Sequence, residues 1–235
     1  MTLTERIILV FRIASYNLKI VFSGKFIYFL IAAWIFFFII DGIMLFSDNV
    51  PDVSDIYDLL LFPGILIMFY PVVYNIQNDK DTRMLEIIFG VPDYRYKVYL
   101  LRFLMALILV GFMLVLMSAF SWFSIVKVQV LKMVIQVMNP LIFMACLTFM
   151  FTTLVRNGNG AAVIMVIIGL IFFIMSEPLQ SSKWNLFLNP YNAPTEMNIS
   201  VWMNIVRQNR LILAIGSVIA VLWGLINLQH REKFM

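Results

Sequence analysis

Residues 103–126 run without one charged side chain, and residues 133–155 do the same. Each run exceeds the roughly 18 apolar residues that mark a membrane-crossing helix, a length set by about 30 Å of hydrocarbon at about 1.5 Å of rise per residue. A soluble fold could not bury them: 63% of the chain is apolar and 13% charged, against roughly 45–50% and 25% in ordinary globular domains. Barrel strands would alternate over about 10 residues, and these runs do not. The chain reads as an all-α integral membrane protein forming a single transmembrane domain over residues 1–235.

Six spans are expected, at 26–46, 59–74, 98–126, 133–155, 161–176 and 211–228. The second and fifth hold about 16 apolar residues each, near the lower limit for crossing, so they either borrow flanking residues or thin the bilayer locally. Ahead of them, residues 4–22 carry Glu5, Arg12 and Lys19 seven apart on one face of an otherwise apolar helix. That pattern predicts an interfacial amphipathic helix within 1–25, retained and not cleaved as a signal. Between spans five and six, residues 184–206 mix Trp184, Phe187 and Trp202 with several asparagines, and Pro190 and Pro194 interrupt them. They predict re-entrant or interfacial helices.

Lysine and arginine set the expected orientation. With cytoplasmic termini, twelve of the 17 basic residues lie inside and five outside, which is the bias of a multi-pass protein of the plasma membrane. The acids at Asp48, Asp52, Asp55 and Asp58 then form a solvated external loop. Asp41, toward the outer end of span one, is expected to reach the interface. The net charge of +4 implies no nucleic-acid partner, and membrane lipids are the partner the composition does imply.

Catalytic chemistry finds little footing. His230 is the only histidine and Cys146 the only cysteine, so no metal site, disulfide or triad is expected. A phosphate-binding G-x-x-x-x-G-K-[ST] loop is absent from the sequence, so ATP and its magnesium must be handled by another subunit if they matter at all. The polar residues of span four, Gln136, Asn139, Thr148, Thr152 and Thr153, are expected to bond between helices.

The most informative segment is the loop at 77–97. Asp79 or Asp81 is placed to cap a short helix that Gly90 and Pro92 end, and Met84, Ile87 and Ile88 would share its apolar face. Asp93 would cap the third span. Such a helix either rests on the bilayer or docks a protein. Thr82-Arg83-Met84-Leu85-Glu86, followed by Gly90, Pro92, Arg95 and Lys97, resembles the loop of ABC-2 type transporter permeases, and the order of parts agrees over essentially the whole chain. The sequence departs from the commoner family pattern at Arg83, where a glycine is often found, and at Asp93 and Tyr94.

The resemblance implies a permease subunit of an ABC exporter that pairs with a second permease copy, forming a homodimer, and with two cytoplasmic ATPase subunits. Thr82, Arg83, Met84, Leu85, Glu86 and Ile88 would form the ATPase-docking coupling helix, with Arg156 and Asn157 as secondary cytoplasmic contacts. Spans one, two and five would line the substrate path, which makes Trp34, Phe38, Phe62, Phe69 and Tyr70 the candidate lining residues. Aromatic walls with few charges suit an amphipathic or hydrophobic peptide, lipid or drug. A polysaccharide or lipid-linked glycan is the alternative cargo, and a non-transporting scaffold that recruits a cytoplasmic protein is the alternative function. A membrane enzyme ranks last.

Overall fold

The computed structural model describes residues 25–47, 50–82, 84, 88, 90 and 93–229. Among them the chain is helical, with no strand, and six helices are long and apolar enough to cross a membrane. The expected interfacial helix within 1–25 lies outside the described residues, as do Asp48 and His230.

In chain order the elements are α1 (Phe26–Leu45), α2 (Val53–Val73), the short α3 (Asn75–Asp81) that continues it, α4 (Leu101–Ser124), α5 (Val130–Val155), α6 (Gly158–Ser176) and α7 (Ile199–Asn227). A π-helical turn, Arg95–Leu100, leads into α4. Helices α2 and α5 stand at the centre: α2 packs on α1, α4 and α5, and the most extensive contact in the bundle joins α5 to α7. Buried residues make up 67% of the most apolar stretch of Val53–Asp81, but only 22% of that of α1 and 17% of that of α6. Those two outer helices therefore present most of their surface to lipid or to another protein.

Lipid is as apolar as leucine, so helices in a membrane gain little by hiding leucine and associate instead through close packing of small residues. Helix α7 carries Gly216, Ala220 and Gly224 at four-residue spacing on one face. A side chain at Gly216 would come within 2.7 Å of the Phe143 ring, and one at Gly224 within 2.7 Å of the Phe149 ring. The phenylalanines of α5 thus seat directly on the backbone of α7.

Several boundaries differ from the hydropathy reading. The second span begins at Val53, not residue 59, because Asp52 and Asp55 form a reciprocal cap: the Asp52 carboxylate accepts from the Val53 N–H, and the Asp55 carboxylate accepts from the Asp52 N–H at 2.8 Å. Asp55 and Asp58 accordingly belong to the helix, where acids favour the N-terminal end of its dipole. With α3 appended this span runs 29 residues, and it is no longer short.

The sixth span starts at Ile199 and not at residue 211, with the Asn198 side chain accepting from Ser200 N–H at 3.0 Å. Trp202, Ile205 and Val206 are therefore part of the same long helix as the span. Residues 177–198 form a series of turns in place of the expected interfacial helices. Their asparagines explain why: the side chains of Asn185 and Asn189 accept from the backbone N–H two residues on, which closes turns and competes with helix. Asn189 also donates to Ser54 of α2, Tyr57 donates to Leu188 O, and the buried Asn209 of α7 donates to Lys183 O and Asn185 O. The segment is a stitched cap over that end of the bundle.

Candidate functional site

An apolar groove of about 490 Å³ opens between α2 and α6, floored by α5. Phe29 of α1, Phe62 and Phe69 of α2, and Phe173 of α6 supply aromatic walls, and Met144 and Met165 contribute adaptable surface. Thr148 is its one hydroxyl-bearing lining residue, and that hydroxyl donates to Met144 O at 2.7 Å, so no polar group is left to specify an orientation. The groove can hold an alkyl or aromatic body, and it offers nothing to an ion.

The structure divides the five candidate lining residues. Phe62 and Phe69 line the groove, with Phe36 packed on Phe62 at a ring separation of 4.4 Å. Tyr70 is buried behind it, 5.2 Å from Phe29, its hydroxyl accepting from Lys25 N–H at 3.2 Å. Phe38 meets Phe120 of α4 at 5.1 Å and so belongs to the α1–α4 contact, and Trp34 stacks on Phe38 at 5.3 Å within α1; neither lines the groove. Spacing along a helix could not reveal this division, because Phe120 is remote in sequence.

At the end of the bundle that carries α3, Arg102 and Asp79 form a buried ion pair. The Arg102 Nη1 donates to both oxygens of Asp79 at 2.6 and 2.9 Å, with each side chain 8% exposed, and it lies 3.4 Å from Asn75 Oδ1. The expectation that Asp79 or Asp81 caps a following helix is therefore corrected: both lie in α3, Asp79 paired to Arg102 and Asp81 accepting from Gln77 at 2.7 Å. The pair ties the chain entering the 82–94 loop to the chain leaving it.

Of the docking candidates, Arg83, Leu85 and Glu86 lie outside the described residues, as does Ile87. Thr82 ends α3, its hydroxyl donating back to Asn78 O. Met84 is 44% exposed, whereas Ile88 is 5% exposed and packed into the core. Ile88 thus serves to anchor the loop, and among the described residues Met84 is an apolar side chain that it presents outward. Asp93 adopts a left-handed backbone with φ 57°, and its carboxylate pairs with Lys97 at 3.5 Å instead of capping the helix.

Nearby, Arg156 turns the chain with φ 58° and the Asn157 side chain accepts from the N–H groups of Asn159 and Gly160, which starts α6 within two residues of the end of α5. The turn is clamped to the α2–α3 junction. Tyr74 donates to Asn159 Oδ1, Gly158 N–H donates to Gln77 Oε1, and a side chain at Gly158 would stand 2.9 Å from the Tyr74 ring. Displacing α3 must therefore displace α6, the wall of the groove.

Two further expectations change. Asp41 is 2% exposed and accepts from Ser124 Oγ at 3.1 Å, so its carboxylate is met by the last residue of α4 and not by open solvent. In α5, Gln136 and Thr153 do bond to α7, through Arg210 and Asn227, but Asn139, Thr148 and Thr152 bond back to their own helix. Among the described residues no group of three or more His, Cys, Asp or Glu converges on one point. The fold and groove define a six-span helical membrane protein. Compared with protein-family models, with curated proteins and with solved structures, the chain matches none.

Proposed function

We propose that the chain is the permease subunit of an ATP-driven ABC exporter, working as a dimer with two separate cytoplasmic ATPase subunits and moving an amphipathic or hydrophobic substrate. The observation that carries the reading is the uncharged groove between α2 and α6, open on the side where α1 and α6 expose most of their surface. A second copy seated there would complete an enclosed path. The clamp between α3 and α6 supports the same reading, since it supplies a route from a loop that a cytoplasmic motor could grip to the wall of that path.

In this scheme both termini are cytoplasmic, Thr82 and Met84 with their neighbours Arg83, Leu85 and Glu86 meet the ATPase, and Arg156 and Asn157 lie beside that contact. ATP and magnesium are bound by the partner. The test is purification of the tagged chain in mild detergent, with mass spectrometry and an ATPase assay on whatever accompanies it. A near-equimolar nucleotide-binding protein is expected, whose association is lost on Met84→Asp while the elution profile of the chain itself is unchanged. Met84 is the right position because it is exposed; a charge at Ile88 would disturb the core. A chain that purifies without ATPase activity, or with a partner that binds no nucleotide, would overturn the exporter reading in favour of the scaffold.

A further inference from the structure

At the capped end of the bundle, opposite α3, the first turns of α5, residues 203–211 of α7 and the cap residues Pro190 and Tyr191 line a second cavity of about 610 Å³, within the roughly 300–1,000 Å³ typical of small-molecule sites. Lys132, Arg207 and Arg210 all line it, and no carboxylate does. Among the described residues none of the three forms a salt bridge. Three like charges around one cavity repel one another, and an anion placed among them removes that cost.

The three cations are not equivalent. Arg210 is fixed: its Nε donates to Gln136 Oε1 at 3.1 Å, one terminal nitrogen to Asn209 Oδ1 at 3.2 Å and the other to Leu188 O at 3.2 Å. A guanidinium has five N–H donors, and Tyr57 is a fourth hydrogen-bonding neighbour of Arg210, so one donor remains to meet a ligand from a preset position. Lys132 and Arg207 are exposed, and their long rotatable side chains can close over it. Tyr191, at the floor, has its phenol pushed above the ordinary range by burial, with Arg210 opposing. It therefore stays protonated and able to donate.

The depth of the cavity identifies the ligand further. Lys132 and Arg210 are each the last charged residue before a charge-free run, at 133–155 in α5 and 211–228 in α7. Helix α7, at 29 residues, is longer than the about 20 needed to cross, so its first turns project past the hydrocarbon and the cations stand near the boundary with water. On the membrane side of the same cavity Ile135 and Leu211 are 62% and 56% exposed. The geometry points to a binding site for the phosphate group of an anionic amphiphile, a phospholipid whose headgroup enters between Lys132, Arg207 and Arg210 while its chains lie along Ile135 and Leu211. This site is separate from the groove and independent of the exporter reading.

The test uses the full chain in nanodiscs made of phosphatidylcholine alone or with phosphatidylglycerol, with lipid retention read by native mass spectrometry after transfer to detergent. Each basic group near a membrane surface strengthens attraction for an anionic headgroup roughly fivefold. Phosphatidylglycerol is therefore expected to be retained over phosphatidylcholine, with the preference falling on the order of 20-fold in the Lys132→Gln, Arg207→Gln double variant. Both side chains are exposed, so the bundle is left intact, and Lys183→Gln at the same end should leave retention unchanged. Equal retention of the two lipids, or an equal loss in the Lys183→Gln control, would overturn the proposal. So would full competition by millimolar inorganic phosphate, because a free anion would then satisfy the site without chains.

Discussion

Replacing Arg102 by methionine tests the most consequential interaction at the α3 end of the bundle. The substitution keeps much of the apolar stem and removes the cation, leaving the Asp79 carboxylate 8% exposed and without its two hydrogen bonds of 2.6 and 2.9 Å. Breaking a buried pair from one side costs about 3–5 kcal/mol, because the surviving charge is desolvated and uncompensated. At roughly 2–4 °C per kcal/mol for a chain of this size, the apparent Tm in detergent should fall on the order of 10 °C, read by tryptophan fluorescence at one fixed scan rate. Removing both charges, as Asp79→Leu with Arg102→Met, eliminates the orphan, and the double variant should return to within about 1 kcal/mol of the parent, since well-packed apolar replacements of buried pairs are often neutral. A double variant that falls by the sum of the two single losses would show that the residues are not coupled, and the argument that they bind together the two ends of the 82–94 loop would fail.

Two other substitutions follow from close approaches and from the capped end. Gly224→Leu places a branched side chain where even a Cβ would sit 2.7 Å from the Phe149 ring, and should cost about 1–3 kcal/mol by overpacking, seen as a lower Tm. Asn209→Ala strips the donor from Lys183 O and Asn185 O, at about 1–3 kcal/mol for a buried group left unpaired; limited proteolysis should then cut within 177–198 several-fold faster, while an unchanged rate would mean that the segment is held by other contacts.

The six spans were legible because hydrocarbon imposes a length and a composition that the charge-free runs satisfy. Their ends were not, for a physical reason: the residues that start α2 and α7, Asp52, Asp55 and Asn198, are polar caps, and a hydropathy reading discards polarity as loop. The contact of Asp41 with Ser124 spans 83 residues, and no local pattern signals it. The Asp79–Arg102 pair was hidden in the same way, its members 23 positions apart with the loop between them. The contact of α5 with α7 was available in principle, since Gly216, Ala220 and Gly224 stand at the spacing that lets helices approach. The aromatic residues of α1 and α2 announced a contact surface, and only the fold could say that Phe62 and Phe69 face the groove while Phe38 meets α4.

The clamp of Gly158 against Tyr74 and Gln77 has a practical use for anyone who would watch this molecule move. Spectroscopic labels on the outer faces of α3 and of the first turn of α6 should keep one separation throughout any working cycle, because the contact between them leaves no slack. That pair is an internal ruler. Changes in distance from α1 or α7 can be read against it as motion of the protein, free of the drift that detergent and bilayer bring to such measurements.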